Sequence, residues 1–385
     1  MSGHTHMPND TTPDDTERLA EIAAALITFP TLADDGDALE RCLAWAVEYV
    51  RSRAPDLRIQ RYHSGGKPSA LLWYGDTLPR VLLAGHLDVV AASGPDAFTP
   101  QRDERGRLYG RGAADMKGPV AALLDLLAHE RRSGLGLLLT SDEESGGEHG
   151  ALHVIERMET LPEVVLLPDG GANLRLICEQ KGVLRLALST RGEAAHGSRP
   201  WLGANAIERL YAGYEELRRR FPVPTDEDDW RVSITLTSLH SEGNSPNTVP
   251  QATSGILDIR YPAGDSSSAA TTDTADTLAG EIAAILRPFH TTIQTLLSGP
   301  AFRLDERSPW VTTLQAAARR ELGHELPLAR EAGASDARFF AARGVPILIF
   351  QPECANWHSH NEWVALPSLA RFRAVCARFV RAALA

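Results

Sequence analysis

The chain is poor in cysteine, with four in 385 residues. Cys42, Cys178, Cys354 and Cys376 are scattered and no two form a C-x-x-C pair, which argues against a disulfide framework and a thiolate zinc site. They read as buried apolar fillers. A basic excess is also missing. The 39 Lys and Arg residues against 50 Asp and Glu leave a formal charge of -11, the opposite of a nucleic-acid footprint. No apolar run approaches a membrane span, and residues 1–16 are polar without the apolar core of a signal peptide. The expected location is therefore the cytoplasm, with neither nucleic acid nor membrane as a partner. Internal repeats and long low-complexity tracts are absent as well. What is present, 43% hydrophobic and 23% charged residues, is a globular composition long enough for two domains.

The most informative stretch is Val81-Leu82-Leu83-Ala84-Gly85-His86-Leu87-Asp88. Its apolar run reads as a strand buried on both faces, as in a parallel sheet, with a histidine and a carboxylate at its carboxyl end. That edge is where open α/β sheets bind ligands. The pattern recurs. Leu137–Thr140 runs into Asp142-Glu143-Glu144, Val164–Pro168 runs into Asp169, and Pro346–Phe350 is followed by a loop with His358, His360 and Glu362. Asp115 lies between the first two strands, just before a helix. Imidazoles and carboxylates converging on one edge would repel one another unless cations sat between them, and this donor set suits zinc, manganese or cobalt.

The remaining periodicities organise the chain. Asp14 and Glu17 have capping-box spacing for a first helix, and Leu39, Leu43, Val47 and Val50 mark a second. Strands are expected over 57–61, 70–74 and 81–85, and a helix from Lys117 with Val120, Leu123, Leu124 and Leu127 inward. This alternation predicts an α/β domain with a central, mostly parallel sheet. After Asp169 the character changes. Residues 181–190 and 232–239 alternate apolar and polar, a third strand holds Ile256, Leu257 and Ile259, and two amphipathic helices carry Ile207, Leu210, Tyr214 and Leu217, and Leu278, Ile282 and Ile285. Half-exposed strands with helices on one face predict a separate antiparallel α+β unit. Gly264–Ser268 reads as a loop inside it, and Ser298-Gly299-Pro300 marks its exit. Helices near 309–322 and 369–384 then resume the first pattern. The α+β unit, residues 182–296, is thus inserted into an α/β domain of residues 1–181 and 297–385.

Five motifs carry a family resemblance: Gly85-His86-Leu87-Asp88; Gly110-Arg111-Gly112 with Asp115-Met116-Lys117-Gly118; Asp142-Glu143-Glu144; Gly197-Ser198-Arg199-Pro200; and His358 four residues before Glu362. In that order they resemble the zinc-dependent amidohydrolases and peptidases that include acetylornithine deacetylase, succinyl-diaminopimelate desuccinylase, aminoacylase and glutamate-releasing carboxypeptidase. The resemblance runs from about Asp15 to the end. It implies two divalent ions, zinc with cobalt or manganese as alternatives. His86 would bind one, Asp115 would bridge both, Glu144 and Asp169 would bind one each, and His358 would complete the set, with His360 replacing it only if the loop shifts by two. Asp88 would orient His86, although a turn-capping aspartate is an equal reading, and a cis peptide is implied at Asp115-Met116.

Glu143 and Glu144 are neighbours, so only one easily points at a given ion and the other is free to act. Two ions can share a hydroxide while polarising a carbonyl, and Glu143 would take the water's proton and pass it to the leaving amine. The resemblance also gives His196 on the inserted domain an oxyanion-stabilising role, acting across a homodimer, and places Asn247 and Arg260 near a substrate carboxylate. An exposed edge strand and two short linkers agree with pairing and lid motion. Gly333–Arg338 resembles the Gly-Thr-Ser-Asp-Gly-Arg run of the desuccinylases, with Arg338 either a second carboxylate contact or a helix-surface residue.

The expected activity is hydrolysis of an N-acyl amino acid or small peptide. Acetyl, succinyl, aromatic acyl and aminoacyl donors all remain open. Two other classes compete. Gly110–Asp115 is a near miss to G-x-G-x-x-G, but the third glycine is an aspartate that would repel a pyrophosphate. A metal-dependent binding protein that has lost catalysis would not need Glu143.

Overall fold

The computed structural model describes residues 13–92, 94–226, 228–242, 245–264 and 273–385. The polar start up to residue 12 and the loop expected at 265–268 lie outside these residues. The chain divides into two compact units, one of Met1–Cys178, Leu304–Arg330 and Ser335–Ala385, the other of Glu179–Arg303 with Glu331–Ala334. Among the described residues no helix is long and apolar enough to cross a membrane.

The larger unit is built on a six-stranded sheet in the order Arg58–Ser64, Lys67–Trp73, Leu135–Thr140, Val81–His86, Val164–Leu166, Ile347–Leu348. The last four strands run parallel and the first two pair antiparallel, so the sheet is mostly parallel. Every residue of Val81–His86 and Leu135–Thr140 is buried, which is why these segments read as unbroken apolar runs. The strand expected over 346–350 is only two residues long, yet it pairs in parallel, Ile347 with Val165. A smaller antiparallel sheet in the order Cys354–Ala355, Trp363–Ala365, Arg107–Tyr109, Gln101–Arg102 joins the loop after Ile347–Leu348 to the segment before Gly110.

Helix Lys117–His129 is buried along all but its last residue. It has no solvent face, which goes beyond the one-sided helix its leucine spacing predicts. The cause is neighbours on several sides: helices Pro13–Ile27, Gly36–Arg51 and Leu366–Ala383 and the strand Val81–His86 all pack on it. Gly118 has no room for a side chain, since a Cβ there would collide with the Ala113 carbonyl. Cys42, Cys354 and Cys376 are buried, and none of the four cysteines forms a disulfide.

The smaller unit is a four-stranded antiparallel sheet in the order Ser233–Glu242, Ala252–Tyr261, Gly182–Arg191, Thr291–Gly299. Leu184, Leu186 and Leu188 point to one face, where they meet Leu210 and Leu217 of helix Ala206–Arg220 and Ile282 and Leu286 of helix Asp273–Leu286. The period-two pattern of the sequence is this single buried face.

One buried charge ties the helices of the larger unit together. The Asp125 carboxylate accepts hydrogen bonds from Arg18 Nε at 2.7 Å and Arg373 Nε at 3.0 Å, and lies 3.3 Å from His129 Nδ1. Burial would push this carboxyl up, but the bonds from His129 and Arg18 and the charge of Arg373 hold it well below the usual carboxylate range. A depressed folded-state pKa gives stability that is complete above the unfolded value of about 4 and is lost as pH falls through the folded value. Asp125→Asn should lower unfolding stability by about 3 kcal/mol at pH 7, the low end for a buried pair because Arg18 is partly exposed. Denaturant titrations of both proteins should show that difference shrinking below about pH 4.

Candidate metal centre

The carboxyl edge of the parallel strands carries His86 at the end of its strand, Glu143 and Glu144 in a 3-10 turn after Leu135–Thr140, and Asp169 after Val164–Leu166. Asp115 arrives on the loop before helix Lys117–His129, through a cis Asp115-Met116 peptide. The structure gathers these into two groups, His86 with Glu143 and Asp169, and Asp115 with Glu144 and His358, with ligand atoms inside each lying within 4.8 Å of one another.

Asp115 stands between the groups. Its Oδ1 is 3.1 Å from His86 Nε2 and its Oδ2 is 3.3 Å from His358 Nε2, while His358 Nε2 is also 3.3 Å from Glu144 Oε1. Of the two histidines near the carboxyl terminus, His358 reaches the centre, and His360 belongs to neither group. His358 takes a left-handed backbone, φ 59°, a conformation uncommon for a residue with a side chain. Glu143 also sits in the first group, with His86 and Asp169.

The electrostatics are those of a ligand set. Burial pushes the Glu143 carboxyl well up, helped by the charge of Asp169, and burial with the charge of Asp115 does the same to Asp169. Burial also works against the Asp115 carboxylate, but the bonds from His358 and His86 outweigh it and hold the group low. His358 is pushed up to about 10 by Asp115 and Glu144. Imidazole and carboxylate donors without thiolate, with one carboxylate facing both groups, fit a pair of divalent ions.

Two supports hold this arrangement. The Asp88 carboxylate is buried and accepts from the backbone N–H groups of Glu143 and Glu144 at 3.2 and 3.1 Å. Its Oδ1 is 3.5 Å from His86 Nδ1, whose nearer partner is the Asp88 carbonyl at 3.0 Å. Asp88 therefore fixes the glutamate turn directly and His86 mainly through its backbone. The second support is Glu362. Its carboxylate accepts from Arg111 Nη1 at 2.7 Å and from the N–H groups of Gly112, Ala114 and Asp115 at 3.0, 2.9 and 2.9 Å. Sequence reading used Glu362 only as a spacing marker for His358. Both partners lie in motifs, but nothing in the sequence pairs them across 251 residues.

Arg338 is not a helix-surface residue. It is buried, with Nη2 donating to the Gly146 carbonyl at 2.6 Å and Nη1 to the Ser335 carbonyl at 3.1 Å. It thereby braces the turn that follows Glu143 and Glu144. In the smaller unit, His196 and Asn247 are brought together: His196 bridges Thr248 and the Gly197 N–H donates to the Asn247 carbonyl. Arg260 is instead paired with Asp258 on its own strand, at 2.8 Å.

Residues 82–382 match peptidase family M20/M25/M40. The chain belongs to that family. With it comes the class of metal-dependent amidohydrolases and peptidases. Over 375 residues this M20 protein is 32% identical to the succinyl-diaminopimelate desuccinylase of Alkalilimnicola ehrlichii, covering 91% of this chain and 94% of that one. Its fold is similar to that of an M20 metallo-carboxypeptidase from Sulfolobus solfataricus, with TM-score 0.76, 16% identity and coverage of 96% and 99%. It is likewise similar to a dinuclear metal-binding M20 peptidase from Bacillus subtilis, with TM-score 0.67, 13% identity and coverage of 97% and 99%.

Glu362→Ala would leave the buried Arg111 guanidinium and three N–H groups without their acceptor. The expected cost is about 4 kcal/mol in a denaturant titration, together with metal content reduced from that of wild type in elemental analysis. A variant as stable as wild type with full metal content would show that the loop holds its shape without this carboxylate.

Proposed function

We propose that this M20 protein is a co-catalytic metal hydrolase that cleaves the amide bond of an N-acyl amino acid, with succinyl as the acyl group. The observation that carries the reading is Asp115, whose two carboxylate oxygens face separate imidazoles. In this reading His86, Asp115 and Asp169 would hold one ion and Asp115, Glu144 and His358 the other, with zinc as the metal and cobalt or manganese as alternatives. When bound, such a pair supplies a Lewis acid for the scissile carbonyl and an acidified water. Glu143 accepts the proton of that water on a carboxylate oxygen and delivers it to the leaving nitrogen. Burial and the charge of Asp169 raise the affinity of this carboxyl for a proton, the direction a proton acceptor needs. Asp88 keeps Glu143 and Glu144 in register by holding both amides, and Arg338 braces the turn from its other end.

The succinyl assignment is supported by the desuccinylase relative and by the Gly333–Arg338 run. His196 is assigned to the oxyanion. The Ser198 N–H points at its Nδ1 at 3.2 Å, and an amide can only donate, so the neutral ring carries its proton on Nε2. That makes Nε2 a donor. Asn247, beside it, and Arg260 are the proposed contacts for the substrate carboxylate. We further assign a homodimer in which His196 serves the site of the partner.

The purified protein should hydrolyse N-succinyl amino acids when supplied with zinc, cobalt or manganese, and Glu143→Gln should lower turnover about a hundredfold or more at unchanged metal content. If that variant loses metal but keeps its activity per bound ion, Glu143 is a ligand and Glu144 the proton carrier. Mixing His196→Ala with Glu143→Ala under subunit exchange tests the trans assignment. Half the dimers would then be mixed with one intact site of two, restoring up to about a quarter of wild-type activity. No recovery after proven exchange would place His196 in its own subunit's chemistry or in none.

A further inference from the structure

The larger unit carries a cavity of about 620 Å³ that the proposed reaction does not use, within the usual size of small-molecule sites. Three arginines line it, Arg105, Arg107 and Arg371, against one carboxylate, Glu353. Such a balance is unusual in a chain of net charge -11. Among the described residues none of the three forms an ion pair; the Arg107 charge acts on Asp103, and with Glu353 the one carboxylate on the lining the opening keeps a positive balance.

The arrangement is built by its surroundings. Asp103 Oδ1 accepts from the N–H groups of Arg105 and Arg107, both at 2.9 Å, and Gly106 turns the chain at φ 75°. The other Asp103 oxygen accepts from Tyr109 at 3.1 Å, so that carboxylate serves the turn. The Arg107 guanidinium stacks over the Trp363 ring at 4.1 Å. Arg371 stands near the start of helix Leu366–Ala383, which has no side-chain cap and whose first residues also line the cavity. Ser368 Oγ accepts from the Glu353 N–H at 2.8 Å and keeps its own proton as a donor.

We propose that this cavity is a binding site for a small dianion, a phosphate monoester or a dicarboxylate. Guanidinium forks bind either by paired hydrogen bonds, and the positive end of the helix dipole adds to the potential. No residue that lines the cavity belongs to the metal centre. The test is calorimetric titration of the full-length, metal-loaded protein at low salt with glycerol phosphate and, separately, malonate. At least one should bind saturably, weaken with salt, and bind tenfold or more weakly to the Arg105→Gln/Arg371→Gln double variant. The exposed control Arg58→Gln should bind as wild type does, and the probe that binds identifies the ligand class. Arg371→Gln alone, on a helix surface, serves if the double variant unfolds early in a thermal scan. Equal affinity of wild type and the arginine variants places the anion elsewhere, and absence of saturable binding by both probes overturns the site.

Discussion

Glu362 accepts four hydrogen bonds from a single stretch of loop, and the position of Asp115 depends on them. A buried carboxylate is costly unless its lone pairs are filled, and here a guanidinium and three amides fill them. Burial alone would raise its pKa, and those four donors act against the rise. The loop is thereby fixed from Arg111 to Asp115 by one side chain. Because the next residue, Trp363, starts the strand that pairs with Arg107–Tyr109, the clamp and the small antiparallel sheet hold each other. Asp115 can face two imidazoles only because its backbone has no freedom to turn away.

The same logic governs the glutamate turn from three directions. Asp88 holds the amides of Glu143 and Glu144, Asp142 accepts from the His149 N–H at 2.7 Å, and Arg338 binds the Gly146 carbonyl. The two carboxyls in this support that keep a buried oxygen without a protein partner are Asp142 and Asp336. Burial lifts Asp336 to about 7, with Arg338 pulling the other way and Asp142 adding to the rise. Acidic residues thus surround the turn, and their mutual repulsion is contained by backbone donors and one arginine rather than by carboxylate–lysine pairs.

Much of this was legible in the sequence where chemistry and periodicity coincide. Val81–His86 announces a buried parallel strand because both faces are covered, and the same burial makes the terminal histidine conspicuous. The antiparallel unit was legible because one face is wet and the residues alternate. Pairings between distant segments were not legible. Arg111 and Glu362 each appear in a motif, yet only folding shows that they meet. Lys117 reads as part of a motif, and its buried amine in fact donates to the Phe29 carbonyl at 2.6 Å. Arg338 has the residue type of a carboxylate binder, but its guanidinium meets carbonyls of the loops it joins. Residue type shows what a side chain can do, whereas packing decides which partner it finds first.

The ligand groups are drawn entirely from the larger unit, yet from opposite ends of its chain, His86 before the smaller unit and His358 after it. A divalent ion held there would act as a removable cross-link that closes a very long loop. Loop closure is entropically unfavourable in the unfolded chain, and a ligand that binds only the folded state shifts the equilibrium toward it. The metal would then be a folding element as much as a reagent. The supply of metal would set how long the protein lasts as well as how fast it works, and the intervening unit could diverge in sequence while this staple kept the two halves of its host together.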